Sequence, residues 1–240
     1  MNAQEDGRGR TMRRTRRRNG LIAVALALLA TVGGEVWATQ YAQDRIADAV
    51  RRDIGLDSAP QVRVSGFPVS VQLARKVITG ADIDAAQVPA ALNGRVLTIQ
   101  DLAIRLHGIR QEQGGQERAD EAEVTATITY EDLSAFYGVG IGRGDGTDRV
   151  AATAEVPLLG QVSASARVGV AGPRAIGVDD VRLSANLPPA ARPLLEGALE
   201  RQAPLDNLPE GLALRSVAVT DQGVVAVMTG RDVELQPRTA

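Results

Sequence analysis

Few side chains in this 240-residue chain could do covalent chemistry. It has no cysteine and a single histidine, His107, which removes disulfides, thiolate metal sites, cysteine nucleophiles and paired-histidine sites together. A serine hydrolase would need His107 as its base, and no G-x-S-x-G elbow presents a serine to it. His107 ends an alternating stretch, where a surface position is the simpler reading. Gly138-Val139-Gly140-Ile141-Gly142 has the glycine content of a phosphate cradle. It lacks the lysine of a P-loop and a helix behind it, so it reads as a flexible connection between a helix and a strand. Asp179-Asp180 and Glu131-Asp132 are adjacent acidic pairs. Neighbours on a strand face opposite ways, which makes the first a poor acid/base pair, and the second falls where a helix start favours carboxylates. The chain is therefore read as a non-enzyme with no metal and no cofactor.

Charge divides the sequence. Seven arginines stand in the first eighteen residues against Glu5 and Asp6, leaving 20 basic and 27 acidic residues in the remainder. An acidic body with one Trp, three Tyr and two Phe argues against nucleic-acid binding, which calls for a basic surface and stacking rings. The basic run precedes the uncharged stretch Leu21 to Val32, and Val36-Trp37-Ala38 follows with small residues at cleavage-type positions. Residues 1–38 are thus expected to be a basic n-region plus a signal peptide or membrane anchor, and 39–240 one domain. The eighteen residues from Leu21 to Ala38 would reach about 27 Å as a helix, so cleavage and anchoring both stay open. Either way the positive-inside bias keeps the arginines in the cytoplasm and sends the body across the membrane.

In the body, Ala42, Ile46, Ala49, Val50 and Ile54 repeat at three and four residues, predicting an amphipathic helix over 39–54 stopped by Gly55. The period then becomes two. Val62/Val64, Ala81/Ile83/Ala85, Leu102/Ile104/Leu106, Val124/Ala126/Ile128/Tyr130, Val150/Ala152/Ala154/Val156 and Val162/Ala164/Ala166/Val168 each alternate with other, mostly polar, residues. With the less regular Ile176/Val178 and Val181/Leu183, such alternation predicts at least seven antiparallel strands with one covered and one wet face. Short helices are expected over Glu131–Tyr137 and Pro188–Gln202, and a hairpin around Asp221-Gln222-Gly223. The fold class that follows is α+β: a long curved antiparallel sheet wrapped around an N-terminal amphipathic helix.

The covered positions are small, with alanine at 81, 85, 126, 152, 154, 164 and 166. Small side chains leave room either for a ligand or for a closely packed helix, and composition alone favours the helix. A two-chain phospholipid buries about thirty methylenes at roughly 0.8 kcal/mol each, on the order of 25 kcal/mol, so holding one demands a continuous apolar groove. Ile83, Ile104, Leu106, Ala126, Ile128 and Ala154 are the candidate wall. Arg63, Arg75, Lys76 and Arg105 are candidates for a phosphate headgroup.

A series of short motifs spans nearly the whole chain in order. After the Arg-rich start and apolar segment come the helix ending near Arg51-Arg52 and Val62-Arg63-Val64-Ser65-Gly66-Phe67-Pro68. Tyr130-Glu131-Asp132-Leu133, Pro157-Leu158-Leu159-Gly160 and Leu208-Pro209-Glu210-Gly211-Leu212 follow, and Gly223 to Val227 with Gly230-Arg231-Asp232-Val233 closes the series. In these motifs, and in its arginine-rich, lysine-poor composition, the sequence resembles the LmeA family of actinobacterial phospholipid-binding envelope proteins. The resemblance implies a tubular lipid-binding fold and a non-catalytic partner of phospholipid at a membrane surface, outside the cytoplasmic membrane, supporting lipoglycan or envelope biogenesis. It extends candidacy as lipid contacts to Phe67, Pro68, Tyr130, Leu133 and Phe136. The alternative is a scaffold for membrane-bound envelope glycosyltransferases that holds no lipid.

Overall fold

The computed structural model describes residues 34–51, 56, 58–92, 95–112, 116–156, 160–183, 201–205 and 208–235. Among them are three helices and eleven strands, in an α+β arrangement dominated by a curled antiparallel sheet, a half-barrel with an N-terminal helix. Helix α1 covers residues 34–51. It already runs at residue 34, five residues before the expected start, so Val36-Trp37-Ala38 lies inside it. None of the described helices is long and apolar enough to cross a membrane.

The strands pair as two sheets where the alternation suggested one continuous surface. The larger takes β1 (Gln61–Ser65), β2 (Val77–Leu92), β3 (Arg95–Gln111), β4 (Glu117–Thr129), β11 (Gly223–Glu234) and β10 (Leu212–Val219), in that lateral order. The smaller runs β5 (Gly140–Arg143), β6 (Arg149–Val156), β7 (Gly160–Gly172), β8 (Ala175–Leu183) and β9 (Arg201–Pro204). Helix α2 (Val69–Arg75) sits between β1 and β2, and α3 (Tyr130–Tyr137) leads from the larger sheet into the smaller. The sheets meet where the β7–β8 turn reaches β10: the Leu214 N–H donates to the Pro173 carbonyl at 2.8 Å.

Several elements differ from the sequence reading for local reasons. The glycine-rich stretch after α3 is partly strand, β5, because it can pair with β6 through backbone alone. Most of the helix expected over Pro188–Gln202 lies outside the described residues; its last two residues, Arg201 and Gln202, belong to β9 and pair with β8. Helix α2 is too short for its periodicity to show. Leu21 to Val32, Ile54 and Gly55 also lie outside the described residues.

The long strands bend where the backbone turns left-handed. Asp101 (φ 48°) accompanies a bulge in β3 between Gln100 and Leu102, and Asp232 (φ 53°) interrupts β11. Aspartate tolerates that region better than most side chains do, and bulges deepen the local twist. Gly108 (φ 63°) lies where a Cβ would meet the Asp120 carboxylate. Strand β1 pairs with β2 only from Gly80 to Asp84, so Pro89 falls where β2 has β3 alone as its paired neighbour among the described residues, the edge position that proline tolerates.

Gly223 starts β11 opposite Thr129, and a Cβ built there would lie 2.1 Å from the Ile128 carbonyl oxygen. Gly223→Ala is therefore expected to push β11 off β4 and cost about 1–3 kcal/mol, as overpacking does. A urea titration followed by circular dichroism checks this.

Candidate functional site

Register turns the alternating residues into continuous apolar rows. Val62 pairs with Ile83, Ile83 with Ile104, Ile104 with Val124, Val124 with Met228, and Met228 with Leu214, one residue from each of six strands. A second row runs Val64, Ala81, Leu106, Ala122, Gly230, Leu212. A third runs Ala85, Leu102, Ala126, Ala226, Val217. All three lie on the same face. Ile83, Leu106, Ala122, Ala126, Leu212, Leu214 and Met228 form its buried cluster, while Val62, Leu102, Ile104, Val124, Val217 and Ala226 are only partly buried against it.

Helix α1 lies on this face. Ala38 and Ala42 are buried, and one and two turns further on Ile46 and Val50 pack on the cluster. Val50 also meets the smaller group Leu56, Ala85 and Val88. From the other side, Ile176 of β8 and Leu205 and Leu208 complete the contact. The opposite face of the sheet is charged: Arg63 pairs with Asp84, Arg105 with Glu123 at 3.3 Å, and Arg118 with Asp232 at 3.0 Å. His107 is exposed there, between Gly80 and Glu121 in register.

The structure thus brings Ile83, Ile104, Leu106 and Ala126 into one surface. Ile128 follows at the end of β4, paired with Val224. Tyr130, Leu133 and Phe136 stand on α3 at the junction of the sheets. The Tyr130 hydroxyl donates to the Thr220 carbonyl at 2.7 Å, and burial pushes its pKa up, with Arg143 opposing. Thr129 caps this helix by accepting from the Asp132 N–H, and the Gln100 amide reaches the Asp132 carboxylate at 3.1 Å. Phe136 is buried with the Arg95 guanidinium 5.0 Å from its ring centre. Ala154 lies on β6 of the smaller sheet, half-buried and opposite Val162. Phe67 and Pro68 are not on the rows; both are exposed at the entry to α2, joined by a cis peptide bond. Arg63 and Arg105 occupy the charged face, away from the rows, and Arg75 and Lys76 end α2.

Two charged groups hold the frame. Arg149, only 5% exposed, donates to the Asp180 carboxylate at 2.7 Å and to the Asp180 carbonyl at 2.6 Å. Arg149, first, and Arg182 hold the Asp180 carboxyl below its usual range against the opposing effect of burial. Arg167 reaches both Asp179 and Asp180, so this pair does not simply face opposite ways. Asp180 is left-handed (φ 46°) and a bulge at Ser165/Arg167 lies across from it, a register effect that nearest-neighbour alternation does not contain.

The second is Glu35 of α1. Pro68, the N-cap of α2, has no side-chain oxygen to offer, and Glu35 supplies one. Its carboxylate accepts from the Val69 N–H, from the Ser70 N–H at 3.2 Å and from the Ser70 hydroxyl at 2.6 Å. Nothing local in the sequence announces this role for Glu35, because its partners lie 34 and 35 residues away. Among the described residues no group of three or more His, Asp or Glu is placed to hold a metal ion.

A family model described as LmeA-like phospholipid-binding matches residues 33–229. No curated protein and no solved structure matches the chain.

The Ser70 hydroxyl, foremost, and the Val69 and Ser70 N–H groups hold the Glu35 pKa below its ordinary value, with burial opposing. The α1–α2 tie is consequently present above the ordinary glutamate range and is lost as pH falls through the depressed folded value. Trp37, two residues away, reports it. Its emission is expected to change with a midpoint below the usual glutamate pKa, and Glu35→Gln is expected to remove that step.

Proposed function

The chain belongs to the LmeA-like phospholipid-binding family, and we propose that it holds the acyl chains of a phospholipid against the three apolar rows of the larger sheet without catalysing a reaction on it. The observation carrying this reading is the unbroken apolar row across six strands, with Val62, Ile104 and Val124 only half-buried in it. Its breadth suits hydrocarbon: six strands at roughly 4.8 Å spacing cover some 24 Å between the outermost two. The alanines at 81, 122, 126 and 226 keep the wall low where larger side chains would fill it. The protein acts outside the cytoplasmic membrane of an actinobacterial cell, in support of lipoglycan or envelope biogenesis. The arginine-rich start and Leu21–Val32 direct its export or tether it.

Full-length protein extracted with organic solvent should release phospholipid detectable by mass spectrometry. Ala126→Phe fills the third row, beside the central one, and is expected to lower the retained lipid at least tenfold, about 1.4 kcal/mol in affinity. Ala154→Phe, on the half-buried face of the smaller sheet, tests whether that face belongs to the groove without crowding the main cluster. Wild-type protein that is consistently empty would overturn lipid holding in favour of a lipid-free scaffold for membrane-bound glycosyltransferases.

A further inference from the structure

Trp37, Tyr41 and Phe67 are half of the aromatic residues in a chain with one Trp, three Tyr and two Phe, and all three are exposed. Phe67 is 83% exposed and Trp37 66%. The Glu35 carboxylate joins the first turn of α1 to the first turn of α2. Val36 and Trp37 therefore lie one and two residues from the contact on one helix, and Phe67 and Val71 lie two residues from Val69 on the other. Val36 and Val71 are exposed as well. Trp37 and Tyr41 stack with ring centres 5.4 Å apart, presenting one flat amphipathic surface along α1.

We infer that this aromatic tip is where the protein enters a phospholipid bilayer, with Phe67, Trp37 and Tyr41 seated at the interface between headgroups and acyl chains. The inference rests on the phospholipid-holding reading and adds to it the place where the bilayer is met. Three observations favour a bilayer as the occupant. Tryptophan and tyrosine partition to membrane interfaces because one end of each ring is apolar and the other polar, and a phenylalanine so exposed calls for an apolar partner. Exposed cations are present on both helices: Arg45 lies 5.9 Å from the Tyr41 ring centre, and Arg75 and Lys76 close the seven-residue helix that follows Phe67. They suit anionic headgroups. The apolar run Leu21–Val32 immediately precedes α1 in sequence, which brings hydrocarbon-seeking chain to this same end. From there α1 leads to Ile46 and Val50 on the apolar rows, so one helix connects the tip with the groove.

The test uses full-length protein reconstituted in phosphatidylcholine–phosphatidylglycerol vesicles, with and without bromine on the acyl chains. Trp37 is the native reporter. In a Trp37→Phe background, Phe67→Trp places the reporter on α2 entry, and Val170→Trp places it on an exposed strand of the smaller sheet. Bromolipid is expected to quench the reporters at 37 and 67 and to leave the one at 170 unchanged. Position 67 quenched no more than position 170 overturns the inference. Quenching at 37 alone also overturns it, since the segment preceding α1 would then account for the contact, as would a protein partner covering Phe67. Mass spectrometry of extracts from the same samples separates the two ideas. Loaded protein with position 67 unquenched defeats the tip alone, whereas empty protein with position 67 quenched defeats lipid holding and supports the membrane contact.

Discussion

Side chains alternate across a strand, so the apolar surface depends on strand register. Sliding β3 by one residue against β2 would exchange Ile104 for Arg105 on the inner face and bring a charge ladder under α1. Six strands must agree for Val62, Ile83, Ile104, Val124, Met228 and Leu214 to form a line, and every other row inherits that agreement. Charges on the reverse face accompany it: Arg63 reaches Asp84 diagonally, and Arg105 stands opposite Glu123. Each exposed pair adds little stability, so the apolar face, which a one-residue slip would turn outward, decides the register.

Curvature and cover follow from the same rows. A flat sheet would leave a broad apolar face too wide for one helix to shield. The left-handed Asp101, Gly108 and Asp232 and the β3 bulge curl the long strands, and α1 lies within the curl with alanines at 38 and 42 and larger residues at 46 and 50. The helix touches part of the face closely and leaves the rest half-buried.

Much of this was legible in the sequence because it is encoded locally. Period-two stretches identified Ile83, Ile104, Leu106 and Ala126 as inward residues, and the three-and-four spacing of Ala42, Ile46 and Val50 identified the helix face that meets them. Pairing over distance was not encoded in this way. The division into two sheets depends on which strand β4 and β8 accept as neighbours, and no single stretch records that choice. Strand β5 looks like a glycine loop because its pairing needs no side chains. Phe67, singled out by its motif, sits on an exposed tip because Glu35, more than thirty residues earlier, fixes the start of α2.

Pro89 has a consequence for association between molecules. With β1 ending its pairing at Asp84, the second half of this sixteen-residue strand has, among the described residues, β3 alone as a paired strand. A proline in an edge strand breaks the regularity that fibril-like stacking of one molecule on another requires, and thereby discourages it. A protein built from long, alanine- and valine-rich strands is prone to such association, and here resistance to it is written into β2 itself.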